Sequence, residues 1–155
     1  MISEAILMIA VIVAASMVTQ MFVVSLARIQ YSSSWAAKDL SEKMRTSIQI
    51  IYAFNSSPTQ ITLWVKNTGS ASFTPQLVKM SDLLLLGPSS ASEYSYSEAG
   101  HGWSFKLLNS EDSEWDYGET IEVKLNLTDV LATGDYKVIF IVYNGVKSEY
   151  SFTVG

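Results

Sequence analysis

The sequence predicts an α+β protein: a long N-terminal hydrophobic α-helix (residues 1–47) followed by an immunoglobulin-like antiparallel β-sandwich (residues 48–155). Three observations predict it. From Ala5 to Ala27 there is no charged residue, no proline and no glycine. Beyond that run apolar residues recur every four positions, and after about Thr46 the period falls to two. About seven short alternating segments then follow at regular spacing, separated by turn-forming residues.

The 23 residues from Ala5 to Ala27, at about 1.5 Å each, make a helix of about 35 Å, long enough for a hydrocarbon core of about 30 Å. Ser3 and Glu4 read as its cap and first-turn acid. The opening Met1-Ile2-Ser3-Glu4 lacks the positive charges of a signal peptide and the run is too long for one, so Met1 is expected to start the mature chain. Two readings of this helix stay open at this point. One is a lone membrane anchor. The other is a helix that packs against copies of itself through Ile6, Ile9, Ile12, Val13 and Phe22. In that reading Ala10 and Ala14 permit close approach, and the polar atoms of Ser16, Thr19 and Gln20 bond between subunits.

Ala36, Leu40, Met44 and Ile48 continue the four-residue spacing, with Lys38, Asp39, Glu42, Lys43 and Arg45 on the other faces. This predicts an amphipathic extension of the helix, weakest at Ser32-Ser33-Ser34, where hydroxyls compete for backbone groups. Arg28, Lys38, Lys43 and Arg45 all follow the apolar run, and no Lys or Arg precedes it. Taken alone, that asymmetry places the C-terminal side in the cytoplasm.

The expected strands are 48–54, 60–66, 76–79 with 83–86, 103–108, 120–127, 136–143 and 146–154. Alternation is clearest in Ile121-Glu122-Val123-Lys124-Leu125. Asn144-Gly145 predicts a type I′ hairpin; Asn67-Thr68-Gly69 and Leu86-Gly87-Pro88 read as turns. Segments 89–102 and 109–119 read as irregular. Trp64 lies within an alternating strand and is expected in the core; the alternative is a carbohydrate- or partner-binding surface formed with Trp103 and Trp115. Asn55-Ser56-Ser57 and Asn126-Leu127-Thr128 match the glycosylation acceptor pattern, making Asn55 and Asn126 candidate modification sites.

Composition excludes several functions. Net charge is −5 with no basic stripe, which argues against nucleic acid as a partner. There is no cysteine, hence no disulfide or thiolate site, and one histidine, His101. The acidic stretch from Glu111 to Asp116 lacks a complete calcium-loop pattern and reads as a solvated turn. No nucleophile-elbow, metalloprotease, phosphate-loop or dinucleotide motif occurs. No catalytic residue, metal or cofactor is expected.

The opening Met1-Ile2-Ser3-Glu4-Ala5-Ile6, the segment Leu63-Trp64-Val65-Lys66-Asn67-Thr68-Gly69, the strand entry Gly118-Glu119-Thr120, and Gly134-Asp135-Tyr136-Lys137-Val138 leading to Tyr143-Asn144-Gly145-Val146 together carry a resemblance. The chain resembles the archaellin superfamily, archaeal filament subunits with type IV pilin-like N-terminal helices, and within it the archaellar stator proteins of the FlaG (ArlG) type. The resemblance covers essentially the whole chain. Filament-forming archaellins carry a short basic leader ending in Lys/Arg-Gly, and its lack here points to the stator type. The resemblance implies a structural, non-enzymatic role in archaeal motility, self-assembly into a filament, a FlaF-type partner subunit, and a membrane-anchored place in the cell envelope. There the β domain would be extracytoplasmic, with the S-layer reached through the partner. That placement conflicts with the charges that follow the helix. The alternatives are a homopolymeric archaellin or adhesive pilus subunit, and a membrane-anchored binding module.

Overall fold

The computed structural model describes residues 2–155. Helix α1 spans Ile2–Arg45. Ser3 therefore lies inside the first turn and not at its cap, while Glu4 faces the positive end of the helix dipole as expected. The serine cluster does not break the helix. Ser32 Oγ donates to Ile29 O (3.0 Å) and Ser34 Oγ to Tyr31 O (2.9 Å), so the hydroxyls add bonds to the ladder without displacing it. Two compact units are present, one ending at Leu40 and one covering Ser41–Gly155.

The helix ends before Ile48, which continues the four-residue spacing in sequence but is buried in the first strand. Thr46 closes the last turn: its N–H and its Oγ1 both bond Glu42 O. Asn144 Nδ2 then donates to Thr46 Oγ1 at 2.8 Å. Arg45 O accepts from Ala71 N at 3.1 Å. These bonds, all within the second unit, tie the last helical turn to the loops of the β domain.

Eight strands follow: β1 Ile48–Ser57, β2 Gln60–Asn67, β3 Asp82–Leu86, β4 Ala91–Tyr94, β5 Gly102–Leu107, β6 Thr120–Asn126, β7 Gly134–Ile141 and β8 Lys147–Val154. They form two antiparallel four-stranded sheets, ordered β1-β2-β6-β5 and β4-β3-β7-β8. Assigning immunoglobulin letters in chain order gives A-B-E-D facing C′-C-F-G, the immunoglobulin arrangement with one extra edge strand. Alternation decides which side chains face inward. Ile61, Leu63 and Val65 of β2 meet Ile121, Val123 and Leu125 of β6 on one inner face; Leu83 and Leu85 meet Val138 and Phe140 on the other. Trp103 of β5 and Phe140 of β7 join the two layers edge to face, with centroids 5.4 Å apart.

Four expectations change. Residues 76–79 form no strand: Thr74 caps a short helix α2 (Pro75–Lys79), its Oγ1 accepting from Leu77 N, with Pro75 at the helix start. The segment 89–102 contains strand β4, whose register on β3 runs from Leu83↔Tyr94 to Leu86↔Ala91. The Asn144-Gly145 hairpin exists but is not type I′, because Asn144 keeps a negative φ and only Gly145 is left-handed (φ 85°). Gly145 N donates to Val142 O and Val142 N to Val146 O, which is the three-residue turn with a glycine bulge. Finally, Trp64 points away from the core, whereas Trp103 and Trp115 are fully buried within it. The three tryptophans therefore form no common surface.

Tyr136, near the start of β7, donates its hydroxyl to Ala132 O at 3.0 Å and stacks on Phe152. This is the tyrosine corner found in immunoglobulin-like sandwiches. Gly87 is required beside it, since a Cβ there would come within 2.7 Å of the Tyr136 ring. Tyr136→Phe is expected to cost about 1–2 kcal/mol, the value of a half-buried hydrogen bond whose carbonyl loses its donor. Urea unfolding with an unchanged m-value checks it.

Candidate assembly helix and the β-domain surface

Every residue singled out on the helix lies within α1, and no described residue of α1 is buried. Ile6, Ile9 and Val13 share one face at i, i+3, i+7, and Gln20 continues it one heptad further on. Ala10 and Ala14 form the adjoining strip. Ile12 and Phe22 lie outside that face, with Phe22 on the opposite side, so the set surrounds the helix and does not form a single seam. Ile6, Ile12 and Phe22 keep 63%, 67% and 65% of their surface in the open. A helix hydrophobic all round is stable only inside other protein or in lipid. Among the described residues, α1 is the helix long and apolar enough to cross a membrane.

The polar atoms of the helix divide into two kinds. Ser16 Oγ donates to Val13 O (2.8 Å) and Thr19 Oγ1 to Ala15 O (2.9 Å). Both hydroxyls thus donate within their own helix, which leaves their oxygens as acceptors towards a neighbouring subunit. Past the apolar run, the ammonium of Lys38 lies 5.9 Å from the Trp35 ring centroid.

The loops of the β domain are held by their own polar groups. In the acidic loop, Asp112 Oδ1 accepts from Glu114 N and Glu119 Oε2 from Asp116 N, each at 2.8 Å. These carboxylates cap backbone donors. Among the described residues no group of three or more His, Cys, Asp or Glu side chains is placed to hold a metal ion. His101 is exposed at a loop tip. Lys79, Tyr96 and Glu98 form a surface latch. The Tyr96 hydroxyl bonds the Glu98 carboxylate, which sits 3.4 Å from Lys79 Nζ. The tyrosine hydrogen bond, reinforced by the lysine, holds Glu98 below the usual carboxylate range; the bond to Glu98 raises Lys79 above the usual ammonium value.

The candidate glycosylation sites both lie on strands. Asn55 is exposed near the end of β1. Asn126 ends β6 half-buried, its Oδ1 accepting from Gln60 Nε2 at 2.8 Å. Buried Asn67 plays a structural part that the motif reading missed. Its Nδ2 donates to Ala71 O (2.7 Å) and Trp115 O (3.0 Å), and its Oδ1 accepts from Gly69 N (3.0 Å). The adjacent Gly69 has no room for a side chain, because a Cβ would come within 2.4 Å of both Arg45 O and Ser47 N.

Comparison with known proteins agrees with this architecture. The chain is similar in fold to the archaellum periplasmic stator protein FlaG from Sulfolobus acidocaldarius, with TM-score 0.58 and 19% identity over 69% of this chain and 99% of that one. It is likewise similar to a chain of the FlaF and FlaG stator complex from the same organism, with TM-score 0.58 and 21% identity over 72% of this chain and 93% of that one. An uncharacterized protein of Archaeoglobus fulgidus is 30% identical over 98% of this chain and 96% of its own length. The model of the archaeal-type flagellin family matches residues 1–152, and the chain belongs to that family.

Proposed function

We propose that this protein is a structural, non-catalytic subunit of the archaellum, a cell-envelope stator component that self-assembles through its N-terminal helix. The observation that carries the proposal is the uncovered α1, apolar on all faces from Ala5 to Ala27, within a chain of the archaeal flagellin family. The sandwich of the same chain has the fold of the FlaG stator protein. Residues 1–47 act as the assembling segment, through Ile6, Ile9, Ala10, Ile12, Val13, Ala14 and Phe22, and residues 48–155 as the partner-facing domain. Covering such side chains in a bundle is worth roughly 1.5–3 kcal/mol each relative to water, which drives polymerisation outside lipid. In this reading the β domain is extracytoplasmic and meets a FlaF-type subunit, as FlaG does in the Sulfolobus complex. The S-layer is reached through that subunit; of the two candidate glycosylation sites Asn55 is exposed, whereas Asn126 takes a sugar only if its bond to Gln60 opens.

The basic residues from Arg28 to Arg45 oppose this orientation under the positive-inside rule, which governs helices inserted in lipid and not helices packed in a protein filament. One experiment addresses both placement and partner. A tagged full-length chain is treated on intact archaeal cells with a membrane-impermeant amine cross-linker, which reaches exposed lysines such as Lys106 and Lys124 only from outside. The expected product is a covalent complex with the FlaF-type subunit. Cross-linking that requires lysed cells would put the domain in the cytoplasm and defeat the proposal.

A further inference from the structure

The outer face of the β1-β2-β6-β5 sheet carries an exposed aromatic cluster that assembly through the helix does not use. A bulge in β1 shifts the register between Ile50 and Tyr52, leaving Ile51 and Tyr52 both turned outward. Tyr52 then pairs directly with Trp64 of β2. The Tyr52 ring is in contact with three others: Phe54 at 5.5 Å, Trp64 at 6.1 Å and Tyr150 of β8 at 6.1 Å. These contacts fix the cluster before any ligand arrives. Even so, Ile51 and Tyr52 each leave 47% of their surface exposed and Trp64 leaves 37%.

Polar groups continue each aromatic row across the sheet. Trp64 is paired with Glu122, and Glu122 with Lys106; Phe54 is paired with Thr62, Thr62 with Lys124, and Lys124 with Ser104. Trp64 Nε1 points to Glu122 Oε2 (3.5 Å), and Lys124 Nζ bonds Glu122 Oε1 (3.1 Å). The face is thus half aromatic and half hydrogen-bonding, about 14 Å wide at three strand spacings.

The area on offer decides the kind of occupant. Large aromatics present about 150–250 Å² each when fully covered, so the open parts of this cluster amount to roughly 300 Å². A stable protein interface buries about 800 Å² per partner, of which about 450 Å² is apolar, more than this cluster offers. We infer that this face is a binding site for a short neutral oligosaccharide. The apolar C–H faces of its pyranose rings lie on Tyr52 and Trp64, and its hydroxyls meet Glu122, Lys124 and Lys106. Tyrosine and tryptophan suit an open face of this kind, since each offers apolar area together with a polar tip.

The test uses the full-length chain in a detergent without a sugar headgroup, titrated calorimetrically with maltohexaose, cellohexaose and mannohexaose as separate probes. At least one probe is expected to bind. Trp64→Ala and Tyr52→Ala each weaken it at least tenfold, and Trp64→Phe, which keeps a ring, weakens it less. Tyr117→Ala, at an exposed loop residue, leaves binding unchanged. Circular dichroism of each variant confirms the folded sandwich. The inference is overturned if no probe binds, or if Trp64→Ala and Tyr52→Ala bind like the parent. It is equally overturned if these variants lose self-association while the parent binds none of the sugars, because the face then contacts protein.

Discussion

Ile12→Asp is expected to abolish polymer formation by the full-length chain while the β domain keeps its thermal midpoint. Ile12 keeps two-thirds of its surface exposed in the isolated chain and lies within the uncharged stretch from Ala5 to Ala27. In an assembled core its side chain is out of water, and a carboxylate there must be desolvated without a partner. That cost is several kcal/mol per subunit and recurs at every copy. The same substitution at the centre of a lone lipid-spanning helix costs about 2.5–3.5 kcal/mol, a level at which many helices still insert. Ile12→Ala, which removes bulk and adds no charge, is expected to weaken assembly without ending it. Sedimentation and negative-stain microscopy read the outcome. Polymers of ordinary appearance from Ile12→Asp would remove the helix from the assembly mechanism.

The second large effect concerns stability. Trp115→Ala is expected to destabilise the β domain by about 3–5 kcal/mol, the range for removing a fully buried tryptophan. Trp115 is 1% exposed and packs on Phe73 at 5.0 Å. It exchanges two backbone hydrogen bonds with Phe73, and its Nε1 donates to Glu119 O at 2.9 Å. Its carbonyl also accepts from Asn67 Nδ2, so the loop beneath the acidic residues is anchored through this one residue. Small domains hold only about 5–15 kcal/mol in total. The loss should therefore appear as a fall in melting temperature of roughly 15–25 °C. Trp115→Phe should recover part of it. A change under about 1 kcal/mol would show that the loop is not anchored there.

Much of this architecture was legible in the residues because period and composition carry it directly. The uncharged run that forms most of α1 has no competing reading, and the alternation in 121–125 fixes the inward face of β6. Turns were less legible. The Asn144-Gly145 pair signals a hairpin, but the length of the turn depends on where the last cross-strand bond falls, and it joins Val142 to Val146. Residues 76–79 have the apolar content of a strand. The Thr74-Pro75 pair decides for a helix, because threonine satisfies a free N–H and proline pre-sets the first helical φ.

The tryptophans show the limit most clearly. Strict alternation in Ile61-Thr62-Leu63-Trp64-Val65 puts either the tryptophan or its aliphatic neighbours inward, and treating a large aromatic as core by default selects the wrong parity. Trp103 and Trp115 border segments without regular alternation, so their burial comes from tertiary packing alone. The hydroxyls of Ser16 and Thr19 belong to the same category. Their intrahelical bonds depend on rotamer and backbone position, which residue spacing does not specify.

The proposed assembly requires that α1 be covered by other copies of itself, and imaging the unmodified protein tests this most directly. Full-length chain, freed of detergent, is examined by electron cryo-microscopy. The predicted result is a filament with a helical core in which Ile6, Ile12 and Phe22 contact neighbouring helices, with the sandwich domains arrayed outside. A population of single chains in detergent or lipid discs, with no filaments under any condition that keeps the β domain folded, would contradict it.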